Sequence, residues 1–225
     1  MVIAVTNLKG GVGKTTIATN IAVCLAYAGY DVCIVDTDLG QQSSMEWSGN
    51  RSAELKAIPV FGVNVKQLNK EVDELKKRYN IVVIDGTPHL SELADRTILA
   101  SDVLLIPLTP SVYDFRGFEG FLQRYEQIKN IKVSSGSNTD AFVILNRVVP
   151  NTNVSKDIQE AVEAYDIQML KTKLVSRISY VDTASEGKGV VEYKDKKAKE
   201  EMEELTKEIL EIMSKNAVDL REKTA

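Results

Sequence analysis

Histidine, cysteine and long apolar runs are what this chain has least of. One histidine, His89, occurs in 225 residues, and it falls where an ordinary loop residue is expected rather than a general base. The only cysteines, Cys24 and Cys33, sit inside the apolar runs NIAVCLAYA and YDVCIVD. They lack the paired spacing of a metal site, so both read as reduced core residues. No apolar stretch approaches the roughly 20 residues of a membrane span. The first residues, MVIAVTNLKGG, carry neither a basic n-region nor a long apolar h-region, so no signal peptide is expected. These absences predict a cytoplasmic protein. Internal repeats, low-complexity tracts and long linkers are also lacking, which predicts one domain over 1–225. A net charge of −4 excludes a uniformly basic chain while leaving room for local patches, and 44% hydrophobic content suffices for one substantial core.

What the chain does have is alternation. The runs VIAVT (2–6), VCIVD (32–36), IVVID (81–85), VLLIPL (103–108) and AFVILN (141–146) are nearly continuous in apolar residues, as parallel strands buried on both faces must be. Between them, Lys14–Ala28, Val65–Arg78, Ser91–Ala100, Phe115–Ile128 and Val154–Tyr165 read as helices. Strand–helix alternation predicts an α/β fold, a doubly wound, mostly parallel sheet flanked by helices. In such folds ligands bind at the carboxyl ends of the strands. Those ends carry the unusual residues: Asn7–Thr16, Asp36–Asp38, Asp85–Pro88, Pro107–Asp114 and Asn146–Arg147.

The first of these contains LKGGVGKTT. The general phosphate-loop pattern G-x-x-x-x-G-K-[ST] places Gly13, Lys14 and Thr15 at its end but demands glycine where this chain has Leu8. Gly10, Gly11 and Gly13 nonetheless let the backbone wrap a phosphate with its amide hydrogens inward, and the helix from Lys14 offers its positive dipole end. Lys14 is expected to reach the β/γ-phosphates and the Thr15 hydroxyl to ligate Mg²⁺. Asp85 ends an apolar strand as a Walker-B carboxylate does, a second expected Mg²⁺ residue. Asp36 and Asp38 lie two apart and point the same way on an extended segment, so both could face the γ-phosphate, where a carboxylate can orient or deprotonate the attacking water; the alternative is one Mg²⁺-shell residue and one helix N-cap.

Lys9, Gly10, Gly11, Val12, Gly13, Lys14, Thr15 and Thr16 together resemble the deviant Walker A motif of the ParA/MinD ATPases. Asp36-Thr37-Asp38 resembles their A′ motif, and IVVIDGTP (81–88) their Walker B. SSMEW (43–47), IPLTPSVYDF (106–115) and GKGVVEY (187–193) resemble the short plasmid-partition ParA proteins more than MinD. The resemblance implies an ATP-sandwich homodimer in which Lys9 crosses to the partner's nucleotide, as a trans arginine finger does. It assigns catalytic roles to Lys9, Lys14 and Asp38, metal roles to Thr15, Asp36 and Asp85, and nucleotide contacts to residues 9–16. Asn146 would contact adenine and Arg147 cover it. Two departures stand out: LGQQSS replaces the family's shorter stretch after the A′ aspartate, leaving the roles of Gln41 and Gln42 open, and Walker B continues G-T-P-H.

Between Lys171 and Lys199, eight basic residues face four acidic ones, a window of +4 in a chain of −4. That is the footprint of a phosphate-backbone binder without base readout. In ParA relatives such a C-terminal patch binds nonspecific DNA. Arg177, Lys188 and Lys197 are the leading contacts, and the protein would be nucleoid-associated. MinD relatives end instead in an amphipathic membrane helix. Here Met202, Leu205, Ile209 and Ile212 form only a narrow stripe opposite a glutamate-rich face, so a helix packed on the sheet and no membrane partner are expected. With the phosphate loop starting at residue 9 there is no room for an N-terminal helix-turn-helix domain, as in the short ParA form. Hydrolysis would be stimulated by a separately encoded centromere-binding, ParB-type protein. The rivals are a MinD-like membrane positioner, a ParA-like positioner of a protein cargo, and a P-loop ligase such as dethiobiotin synthase.

Overall fold

Strand runs apolar on both faces can be satisfied only between two helical layers, and that is the arrangement found. The computed structural model describes residues 1–88, 92–150, 152, 154–165 and 167–223; His89 lies outside the described residues. The strands are β1 (Val2–Val5), β2 (Val32–Asp36), β3 (Val60–Gly62), β4 (Ile81–Asp85), β5 (Val103–Leu108), β6 (Asp140–Leu145) and β7 (Gln168–Met169). They pair in parallel in the order β3-β2-β4-β1-β5-β6-β7. Register brings Val5 beside Asp85 and Asp36 beside Asp85, so the polar ends of β1, β2 and β4 meet at one edge of the sheet.

Helices α1 (Lys14–Tyr27), α2 (Ser43–Gly49), α3 (Leu68–Leu75), α4 (Glu92–Ala100), α5 (Val112–Ser134), α6 (Val154–Glu163), α7 (Ser179–Ser185) and α8 (Lys196–Lys223) connect and cover the strands. One core, built on Ile3, Val5, Ile34 and Val83, takes in α1 and the apolar stripe of α8. The other, on Val2, Ala4, Val82 and Ile84, takes in α3, α4 and α5 with Phe118 and Phe121. Met202, Leu205 and Ile209 are fully buried in the first of these cores. The stripe of α8 is therefore part of the core, and among the described residues no helix is long and apolar enough to cross a membrane. Cys24 and Cys33 are buried free thiols, and burial pushes them up to about 11 and about 12, so neither is nucleophilic near neutral pH.

Sequence periodicity misses β3 and β7, edge strands of three and two residues that are only partly covered and so carry little apolar pattern. It also misses α2 and α7, seven residues each and mostly polar. The segment 65–78 is less helical than its pattern predicts: a 3₁₀ turn, Val65–Gln67, precedes α3, which ends at Leu75.

Candidate functional site

Strand β1 delivers the phosphate loop between the ends of β4 and β5. Asn7, fully buried, anchors the start of the loop: its side-chain amide donates to the Pro107 carbonyl at 2.7 Å, and its side-chain oxygen accepts the Lys9 N–H at 3.2 Å. At the far end Gly13 is left-handed (φ 94°), and a Cβ there would lie 2.3 Å from Asn146 Nδ2, so only glycine fits. Asn146 holds the loop from beneath, donating Nδ2 to the Val12 carbonyl at 2.7 Å. The Lys14 ammonium donates to the Lys9 carbonyl at 2.9 Å and so spans the loop it belongs to. Burial lowers its pKa, a shift that Asp85 and Asp38 partly oppose.

The carboxylates are arranged unequally. Asp85 is 4% exposed; its Oδ2 accepts the Ser44 hydroxyl at 2.7 Å, whereas its Oδ1 is buried without a hydrogen-bond partner. Burial pushes its pKa up to about 7, against the lowering effect of Ser44 and with neighbouring Asp36 adding to the rise. An acceptor oxygen buried without a hydrogen-bond partner, on a carboxyl whose pKa the nearby Thr15 hydroxyl helps to lower, fits a divalent cation, whose charge would compensate the ionised carboxylate. Asp38 lines the same cleft, its backbone N–H fixed on Asp36 Oδ1 at 3.0 Å and its own Oδ1 accepting the Gln41 N–H at 3.1 Å.

Asp36 takes the helix-capping side of the two roles open to the Asp36/Asp38 pair. It is completely buried, and both carboxylate oxygens are taken by backbone amides: Oδ1 by Asp38, Oδ2 by Ser44 at 3.0 Å and Met45 at 3.2 Å. Its task here is to hold the first turn of α2, as an N-terminal acid does, rather than to face a metal. Burial raises its pKa and the three amides oppose the rise.

The cleft, about 250 Å³, collects Gly10, Gly11, Gly13, Lys14, Thr15, Thr16, Asp38, Asp85 and Arg147 from four loops. Val12 and Asn146 are buried behind it. Asn146 is thus a loop-positioning residue with its amide nitrogen already engaged, and Arg147, left-handed at φ 54°, is the one that reaches the cleft. Lys9 stands outside, on the rim. Its side chain is 46% exposed and lies 3.7 Å from Asp114 Oδ1 on α5, and Asp114 is in turn held by the Thr109 hydroxyl. Sequence reasoning passed over Ser44 and Asp114, whose roles depend on which strand ends become neighbours. It left Gln41 open; Gln41 and Ser43 line the cleft.

A cation-ready carboxylate that is buried and charged at neutral pH must strain the fold that holds it. With a folded pKa near 7 against an ordinary 3.8, Asp85 favours the folded state when protonated, and that advantage is lost as pH rises from about 4 through 7. Asp85→Asn is therefore expected to melt at higher temperature than the wild type at pH 8, by an amount on the order of a few kcal/mol. The gap should narrow as pH falls and close only near pH 4, and Mg²⁺-dependent nucleotide binding should fall. A variant no more stable than wild type at pH 8 would show that Asp85 is not strained.

Residues 3–190 match the family described as the CobQ/CobB/MinD/ParA nucleotide binding domain. The chain belongs to that family. It is 30% identical over 206 residues to the maintenance of carboxysome distribution protein A of Gloeobacter kilaueensis, covering 88% of each chain. It is 26% identical over a 238-residue alignment to the sporulation initiation inhibitor protein Soj of Bacillus subtilis, covering 85% of this chain and 90% of Soj. Among solved structures, cobyrinic acid a,c-diamide synthase from Mycobacterium smegmatis, with bound ATP analog and magnesium, superposes with a TM-score of 0.72 over 93% of both chains at 20% identity, a likeness of fold.

Outside the cleft of this CobQ/CobB/MinD/ParA domain, the window 171–199 runs from the end of β7 through α7 to the start of α8. The guanidinium of Arg177 is forked onto Glu201 of α8, an acid two residues past the window in which charges were counted. Lys188 is paired with Glu186 at 2.7 Å, an exposed and weak pair. Lys194, Lys196 and Lys197 are exposed. Asp195 caps α8, accepting the Lys197 and Ala198 amides at 3.1 and 3.2 Å. Lysines at residues 196, 197 and 199 then occupy the first turn, with no acid among them, where the helix dipole disfavours cations.

Proposed function

We propose that the chain is a Mg²⁺-dependent ATPase of the ParA type. Its ATP-bound homodimer binds DNA without sequence preference, and hydrolysis stimulated by a separately encoded ParB-type partner releases it, so that a plasmid, chromosome or protein cargo is segregated or positioned on the nucleoid. The observation that carries this reading is the division of labour between two lysines. Lys14 is drawn across the phosphate loop, while Lys9 is half exposed on its rim and contributes nothing to the walls of its own cleft. A cation so placed is available to a second subunit.

In the proposed cycle the loop amides and Lys14 hold the β/γ-phosphates, Thr15 and Asp85 hold the cation, and Arg147 flanks the base. Bound Mg²⁺ would neutralise phosphate charge in the transition state. Asp38, pinned by the Asp36 and Gln41 contacts, orients the attacking water, and Lys9 from the second subunit meets the developing charge on the transferred phosphoryl group. The first turn of α8 supports the DNA assignment, because three lysines persist where the helix itself disfavours them.

Retention on nonspecific DNA, measured with ATP, with ADP and with the Lys14→Ala protein over a salt series, tests the cycle. Strong retention is expected only for wild type with ATP; equal retention in all three arms would overturn the nucleotide switch. Lys196→Glu combined with Lys197→Glu should weaken binding on every sequence and reduce the logarithmic salt slope by about 2. An unchanged slope would move the DNA surface elsewhere. ATP-dependent capture on anionic liposomes, without DNA retention, would favour the membrane-positioner reading.

A further inference from the structure

Helix α2 touches both the cleft and the turn formed by residues 187–192. At its first turn Ser44 donates its hydroxyl to Asp85 Oδ2, and Asp36 grips the Ser44 and Met45 amides. One turn later the indole N–H of Trp47 donates to the Lys188 carbonyl at 3.1 Å. Just beyond the helix, Arg51 donates to the Gly187 carbonyl at 2.8 Å and makes a two-pronged pair with Glu192 at 2.9 and 2.6 Å. The two side chains of that pair are 5% and 3% exposed. The backbones approach so closely that a Cβ on Gly187, which is left-handed at φ 63°, would sit 2.4 Å from the Arg51 nitrogen. The turn formed by residues 187–192 is tied from its other side to α1, where Asn20 Oδ1 accepts the Val190 N–H at 2.7 Å.

The entry to α2 at the cleft end is the reverse of this. Residues 39–42 are exposed, and Gln42, a non-glycine residue, is held left-handed at φ 52°, ψ 36° immediately before the helix. Backbone strain of that kind persists only where surrounding contacts impose it, and it clusters at ligand clamps and switch regions. The helix is thus entered through an exposed, left-handed segment, and it is fixed by buried contacts at its first turn and at its far end.

We propose that α2 is a strut coupling the state of the cleft to the position of the 187–192 turn, with Ser44 as its input and Trp47 and Arg51 as its output. The inference rests on the nucleotide reading of the cleft and is independent of the DNA reading. The input is specific because Asp85 offers one oxygen to Ser44, while its other oxygen is buried without a hydrogen-bond partner and the Thr15 hydroxyl lies beside the carboxyl. A cation engaging the free oxygen redirects the carboxylate and, through Ser44, the first turn of α2. A two-turn helix transmits that displacement as a rigid body, and close packing passes it on rather than absorbing it. The output delivers it to Lys188 and to the turn that leads into the lysines of α8. Linkage makes the coupling reciprocal: whatever binds the 187–199 surface must alter nucleotide affinity by the same factor.

Hydrogen exchange on the full chain, without nucleotide and with Mg²⁺–ATP, reads the strut directly. In wild type, protection of the phosphate-loop amides is expected together with a change of about 5- to 150-fold at the Gly189 and Val190 amides. Trp47→Phe keeps the ring beneath Arg51 but lacks the indole N–H; it should retain the loop protection and lose most of the change at 189–190. Ser44→Ala cuts the input end and should do the same, with thermal melting confirming that both variants are folded. Trp47 is the only tryptophan, so its emission gives a second readout of the wild-type response. Loop protection with no change at 189–190, or an undiminished change in both variants, overturns the strut. A wild type that retains no DNA in any nucleotide state, yet responds at 189–190, removes the DNA reading and supports the strut. Absence of loop protection overturns the nucleotide reading and the strut together.

Discussion

Lys9→Ala is expected to bind ATP with wild-type affinity and to lose stimulated hydrolysis by about 10³- to 10⁵-fold, the range of a transition-state cation supplied in trans. The separation of the two effects follows from geometry. The Lys9 side chain does not line its own cleft, and its nearest charged neighbour is Asp114 at 3.7 Å, on α5. Only its backbone serves the local loop, the N–H donating to Asn7 and the carbonyl accepting the Lys14 ammonium, and alanine keeps both. Nucleotide affinity by calorimetry and turnover against protein concentration distinguish the outcomes. Wild-type turnover in Lys9→Ala would reduce Lys9 to a surface charge. Restored turnover in mixtures of Lys9→Ala with a nucleotide-binding-deficient Lys14→Ala chain would place the cation across a subunit interface.

Glu192→Ala is expected to destabilise the chain by about 3–5 kcal/mol, because it leaves the Arg51 guanidinium buried without its counter-ion. For a chain of this size that corresponds to a fall in melting temperature on the order of 10 °C. The carboxyl is held below its ordinary range: burial pushes it up, but the Arg51 fork and the Gly189 amide outweigh burial. A lowered folded pKa confers stability that is present above the ordinary value of 4.5 and is lost as pH falls through the folded value. The wild-type and Glu192→Ala melting curves should therefore converge toward acid pH. Arg51→Met with Glu192→Met should recover much of the loss, since an apolar pair leaves no charge behind. A Glu192→Ala protein as stable as wild type at pH 7 would show that the pair is solvated.

The site was legible in the sequence where chemistry and local geometry coincide. Gly10, Gly11, Gly13, Lys14, Thr15 and Thr16 lie within one turn between a strand and a helix, so their spacing alone dictates a phosphate cradle. Asp38 and Asp85 were legible because each follows a run too apolar to be anything but a buried strand. Asp36 drew two readings, metal shell or helix cap, because alternation gives a direction and not a neighbour: only the fold shows the first turn of α2 closing over its carboxylate. Asn146 was placed at the right strand end, yet which of Asn146 and Arg147 enters the cleft depends on the left-handed backbone at Arg147. Arg177 looked free because charge was counted along the chain, while its partner Glu201 comes from the next helix.

By itself, then, the sequence determined the layered α/β class, the edge of the sheet that carries the site and the identity of the phosphate loop. These follow from apolar period and from glycine placement, both local properties. Tertiary structure alone decided which carboxylate keeps an unpartnered oxygen, which lysine remains outside the cleft and how α2 joins the cleft to the 187–192 turn. Those depend on contacts such as Trp47 with Lys188 and Arg51 with Glu192, 141 positions apart in each case, which no local pattern encodes because only closure of the fold brings such residues within hydrogen-bonding distance.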